Sequence, residues 1–158
     1  MNKKTPTQPI LVPVDFSPHS EAALLFAATL ADALDAPLQV VHVVHDPSEA
    51  PGYYAKKGKK RLRKMEDVAA EMMASFMQKA VEEHPERPAL GKAETMLVVG
   101  LPVARILQIA DKSNAQMLVM GSQGRTGLAH LLIGSKAEQI VHLSPIPVTI
   151  VKSRKEKS

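Results

Sequence analysis

The residues of this chain best suited to holding an anion lie together between Gly121 and Lys136. Gly121 is followed after two residues by Gly124, and after nine more by the pair Gly134-Ser135. With Gly127, half of the chain's eight glycines fall in this one stretch. Glycine lets a backbone turn through positive φ and brings it close to a ligand with no Cβ in the way. The apolar run Met117 to Met120 before the loop reads as a strand buried on both faces. The segment after it, opened by Gly134-Ser135 and continuing from Lys136 to Leu143, reads as a helix whose first amides point at the strand end. Such amides, with a glycine loop, cradle phosphate. Arg125, Ser135 and Lys136 add anion-binding groups. The competing reading is that these glycines only form turns after a strand. The spacing is neither a Walker A loop nor the dinucleotide fingerprint.

Other groups carry weaker signals. Asp15 closes the first apolar run, where its carboxylate could accept from an adenine amino group or a ribose hydroxyl, or simply cap the turn before Ser17. His42 and His45 suggest a metal pair, but an i, i+3 spacing on a strand puts them on opposite faces, so His42 reads as a core or rim histidine. The absence of cysteine excludes disulfides, thiolate metal sites and cysteine nucleophiles. With no tryptophan, two tyrosines and three phenylalanines, the chain has little to stack on single-stranded nucleic acid. Its net charge of +4 comes from Lys3 and Lys4, a run from Lys56 to Lys64, and the tail from Lys152 to Lys157. The rest is acidic, which argues against a nucleic-acid-binding face. The Lys56 to Lys64 run reads as a solvated face, or as a patch for an anion or a membrane surface.

The elements that must position these groups alternate along the chain. A polar stub, 1–9, precedes a strand from Ile10 to Val14, with Pro13 expected where the strand leaves the sheet. Ser17-Pro18 starts a helix running to Leu34, with Ala23, Phe26, Ala27, Leu30 and Leu34 as its apolar face. A strand from Leu38 to Val44 leads into a loop from Asp46 to Gly58. A helix follows with Leu62, Met65, Val68, Ala69, Met72, Phe76, Met77 and Ala80 as its apolar face. Ala93 to Val99 is a strand, Val103 to Lys112 a helix with Ile106, Leu107 and Ala110 inward, and Val148 to Val151 a last strand before the charged tail, 152–158. This alternation predicts an α/β fold: a single open, mostly parallel five-stranded sheet with helices on both faces, Rossmann-like, in one domain over 10–151. Ligands of such sheets bind beyond the carboxyl ends of the strands where strand order reverses. That rule gathers Pro13, Asp15, Val43, Val44, Met120 and Gly121, and with the glycine loop it points to a nucleoside polyphosphate. No apolar run reaches eighteen residues and no cleavable leader is recognisable, so a soluble, cytoplasmic protein is expected.

Five segments together carry a family resemblance: VPVDFSPHSEAAL, VVHVV, VVGLPVARIL, the glycine signature and PIPVTIVK. The chain resembles the universal stress proteins, specifically their nucleotide-binding branch, whose fold is that of the adenine nucleotide alpha hydrolases. The resemblance implies adenine and ribose contacts from Pro13, Asp15, Val43, Met120 and Gly121. It implies phosphate contacts from Gly124, Arg125, Gly134, Ser135 and the Lys136 amide. It further implies ATP as ligand, with a role for Mg2+ or Mn2+ left open and no metal ligand assigned, and a homodimer joined through Val148 to Val151. The basic run and the tail depart from the family pattern. The expected function is an ATP-binding regulatory module in the stress response. The alternatives are a weak ATPase or autophosphorylating phosphotransferase, with His130 near the phosphates but no catalytic residue assigned, and an adaptor for anionic surfaces or nucleic acid working through the basic run.

Overall fold

A computed structural model describes residues 7–45, 55–124 and 132–153, with backbone only over 55–62. Five parallel strands form one sheet: β1 (Ile10–Pro13), β2 (Leu38–Val44), β3 (Glu94–Val99), β4 (Met117–Gly121) and β5 (Val148–Val151). Their order is β3-β2-β1-β4-β5, so the chain first builds outward from β1 on one side and then returns to build on the other. Between the strands lie α1 (Pro18–Leu34), α2 (Ala55–Glu83), α3 (Pro88–Lys92), α4 (Pro102–Lys112) and α5 (Ser135–Leu143). The expected α/β architecture is the one observed.

Strand alternation divides the core. Ile10, Val12, Leu38, Val40 and Val119 face α1, α2 and α3, while Leu11, Val41, Leu118 and Met120 face α4 and α5. Both sets are buried, the reason these strands read as continuous apolar runs.

The faces of the helices differ from the sequence reading at several positions. On α1 the buried residues are Ser20, Ala23, Leu24, Ala27, Ala28 and Ala31, whereas Phe26 is 42% and Leu34 49% exposed. A seam of alanines lets this helix lie close over β1 and β4, where the ring of Phe26 would not fit. On α2 the buried residues among those described are Ala69, Met73, Met77 and Ala80, with Phe76 partly buried, and the Leu62 side chain lies outside the described residues. Met65 and Val68 are 41% and 46% exposed because they line an open cleft of about 420 Å³ with His42 and Val44 of β2 instead of packing directly on the sheet. α2 also starts at Ala55, earlier than the Asp46 to Gly58 loop allowed, since lysine and arginine are good helix formers that outweigh one glycine. The short α3, opened by Pro88 in its first turn, was not expected. In α4, Ile109 is buried with Ile106 and Ala110, and Leu107 is partly buried.

Candidate nucleotide site

The site begins where β1 and β4 part. They pair at Ile10↔Met117 and Leu11↔Leu118 and no further, although β4 stays paired with β5 to Gly121↔Val151. β1 meanwhile continues on β2 through Pro13↔Val41, and the Val14 amide donates to the Val41 carbonyl at 2.8 Å. Proline cannot donate to a ladder, so Pro13 marks the point at which β1 turns from β4. The result is a crevice at the carboxyl edge. From it α1 leaves β1 over one face of the sheet and α5 follows β4 over the other.

Three of the base-side residues share a face here. Val43 and Met120 pack with the α4 and α5 core, and Pro13, two residues beyond Leu11, lies on that face by strand alternation. They stand at the tips of β2, β4 and β1, three adjacent strands.

Asp15 is held in the β1–α1 turn. Its Oδ1 accepts from the Ser17 amide at 3.0 Å, and its amide donates to Ser20 Oγ at 3.3 Å. Ser17 in turn caps α1, accepting from the Ser20 amide at 3.2 Å. The capping role weighed for Asp15 is therefore present. Its other oxygen, Oδ2, lies 2.9 Å from where a Cβ on Gly124 would stand, so the carboxylate and the glycine loop meet across the crevice.

The glycines separate into different roles. A Cβ at Gly121 would stand 2.7 Å from the His19 carbonyl oxygen, so this glycine is required for α1 to cross the end of β4. The Gly134 amide donates to the Ser122 carbonyl at 2.6 Å, closing the loop, and its φ of −72° is open to any residue. A Cβ there would meet Gln123 Cα and the Ser122 carbonyl oxygen at an ordinary 3.5 Å. Gly134 is the N-cap of α5, no side chain among the described residues is bonded to that end, and Ser135 and Lys136 are exposed in its first turn. Arg125, Gly127 and His130 lie outside the described residues.

Sequence reading missed Phe16 and His19. Phe16 has φ 66°, an uncommon backbone for a side chain of that size, costing on the order of 1 kcal/mol or more. Its ring stacks on His42 at 4.4 Å and meets Phe76 edge-on at 5.5 Å. His42 Nδ1 lies 2.8 Å from the Val14 carbonyl, which can only accept, so that nitrogen carries the proton. The expectation of a satisfied rim histidine is met, and the ring ties β2 to the turn carrying Asp15. His19 Nδ1 pairs with Ser153 Oγ at 3.1 Å, linking α1 to the end of β5. No periodicity signals either residue, since Phe16 acts from a turn and His19 through a contact with Ser153, distant in sequence.

The fold that holds this crevice is shared with known proteins. Over 148 residues the chain is 30% identical to a universal stress protein of Methanocaldococcus jannaschii, covering 94% of this chain and 84% of that one. A universal stress protein of Archaeoglobus fulgidus solved in complex with dAMP is 25% identical, with a TM-score of 0.64 over 94% of this chain and all of that one. A further universal stress protein, from a separate structure solved in complex with cAMP, is also 25% identical, with a TM-score of 0.62 over 95% of this chain and all of that one. The model of the Universal stress protein family matches residues 6–152, and the chain belongs to that family.

Proposed function

We propose that this protein is a cytoplasmic ATP-binding regulatory module of the stress response, with nucleotide in the β1/β4 crevice. The observation that carries the reading is the meeting of Asp15 with Gly124 beside the apolar tips Pro13, Val43 and Met120. In this reading the adenine lies against those three residues, with the Val43 backbone reading its edge and Asp15 accepting from the amino group or a ribose hydroxyl. Gly121 sits beneath the ribose. The phosphates run along Gly124 to the opening of α5, where the Ser135 and Lys136 amides and the Ser135 hydroxyl meet negative charge, and Arg125, the residue after Gly124 in sequence, is the cation assigned to them. Gly134 contributes by fixing the loop and leaving room rather than by its amide, which is already bonded to Ser122.

Among the described residues no three of His, Asp and Glu stand together as a metal site. Any Mg2+ or Mn2+ accompanying ATP would draw its oxygens chiefly from the nucleotide. The bound dAMP and cAMP of the two relatives support an adenine nucleotide; the step to a triphosphate rests on the glycine spacing and the start of α5, which no side chain among the described residues caps. β5 is an edge strand, which supports a homodimer joined through Val148–Val151.

The test is to purify the protein without added nucleotide, denature it and identify what is released. Adenine nucleotide near one per chain is expected. Gly124→Val should abolish both the bound nucleotide and ATP binding in calorimetry, because its side chain displaces Asp15 and fills the phosphate approach. Unchanged affinity would sink the assigned site.

A further inference from the structure

Where β2 ends, the facing part of α2 stands off the sheet. Met65, Val68, Ala69 and Met72, spaced i, i+3, i+4 and i+7 on one helix face, look across at His42 and Val44 over an open cleft of about 420 Å³. That volume falls within the range of roughly 300–1,000 Å³ found for small-molecule pockets. The walls are apolar, and the two methionines can adjust to the outline of a guest.

The polar groups around the cleft are basic. Lys64 and His45, both exposed, line it together with His42, and no acidic residue among those described does so. Lys64 makes no ion pair among the described residues. Of the nearest acids on α2, Asp67 is turned away from the cleft by helix periodicity, and Glu66 flanks the face on the side opposite Lys64. A lysine beside an apolar wall lays its stem along that wall and keeps its ammonium at the mouth. Apolar walls with basic groups at the rim suit a molecule that has an acyl chain and an anionic head.

His42 gives the cleft a second property. Its Nδ1 donates to the Val14 carbonyl at 2.8 Å, and its ring lies 4.4 Å from that of Phe16, whose φ is 66°. Phe16 stands between Asp15 and Ser17, and the Ser17 amide donates to Asp15 Oδ1. One wall of the cleft is therefore a support of the turn that carries Asp15. A guest pressed against the imidazole favours the ring position that bonds Val14, and so steadies that turn.

We infer that this cleft binds a monomeric medium-chain carboxylate, its chain between Val44, Met65, Val68 and Met72 and its head at Lys64 and His45, and that its occupancy strengthens nucleotide binding through His42. The second part rests on the nucleotide reading above; the first does not.

Calorimetric titration of the full chain with octanoate and decanoate, below the concentrations at which they form micelles, tests the inference. Both should bind at about one per chain, decanoate more tightly by roughly tenfold because it buries two more methylenes. Decyltrimethylammonium, with the same chain and a cationic head, should bind more weakly than decanoate. Val68→Asp should abolish decanoate binding, and Lys64→Glu should weaken it by about tenfold while Lys64→Arg preserves it. Both positions are exposed on the helix and lie outside the nucleotide crevice, and thermal melts check that the variants fold. Saturating decanoate should lower the dissociation constant of ATP by about fivefold, and ATP should lower that of decanoate by the same factor. Val68→Asp should keep its affinity for ATP and lose this response.

Decanoate and ATP binding with no effect on each other would overturn the link through His42. Decanoate binding by a chain that takes up no nucleotide would sink the nucleotide reading and leave the cleft assigned. A chain that binds neither carboxylate, as one whose own residues fill the cleft would, overturns the inference, and so does binding indifferent to Val68→Asp. Binding of phosphatidylglycerol vesicles that depends on Lys64, without binding of the free acids, would assign the cleft to a membrane surface and also overturn it.

Discussion

At the scale of single residues, the glycines of the signature are not equivalent, and stability separates them from binding. Gly121→Ala drives a methyl group to 2.7 Å from the His19 carbonyl, a backbone atom that cannot swing away. A loss of about 1–3 kcal/mol in urea denaturation is expected, in line with overpacking elsewhere. Gly134→Ala places its methyl at ordinary contact distance and at an unstrained φ, so denaturation should change by less than about 1 kcal/mol. If the phosphates pass this position, the same variant should nevertheless bind ATP more weakly. Equal losses of stability in the two variants would contradict the division of roles.

At the scale of elements, the β1–α1 turn does more for the site than either element alone. Ser17 caps the helix, Asp15 caps the turn, and Phe16 holds a strained backbone by stacking on His42 and Phe76. Ser17→Ala should cost about 1 kcal/mol of stability, since it removes a buried N-cap bond. It also frees the first turn that sets the amide accepted by Asp15, so nucleotide affinity should fall with it. A thermal melt and a titration on the one variant check both. The Ser17-Pro18 start of this helix was legible because capping chemistry is local. Its buried face was not, because an alanine-rich helix offers more than one face of similar hydropathy, and only contact with β1 and β4 selects Leu24 and Ala28 over Phe26 and Leu34.

At the scale of the whole molecule, the crevice lies where the two halves of the sheet meet, so a ligand there touches elements from both. Nucleotide that binds only the folded chain stabilises it by mass action, by about 2.7 kcal/mol at one hundred times its dissociation constant. Thermal unfolding should therefore shift upward with ATP, and less with AMP if the α5 opening receives the outer phosphates. No shift with any adenine nucleotide would leave the glycine loop a purely architectural feature. Of the two edge strands, β5 is the one linked to the site, through Ser122 bonded to Val151 and Ser153 paired with His19.

By itself the sequence determined the strands, the alternation of elements and the place of the glycine loop. Apolar runs, Ser-Pro starts and glycine spacing are local properties of a chain, and their limits agree with the structure to within a few residues. The strand order, the parting of β1 from β4 at Pro13 and the contact of Asp15 with Gly124 join residues distant in sequence, and only the folded sheet decided them. So too with the reason for each glycine: spacing marks a loop, but only the atoms opposite say that Gly121 makes room for α1 and Gly124 for a carboxylate.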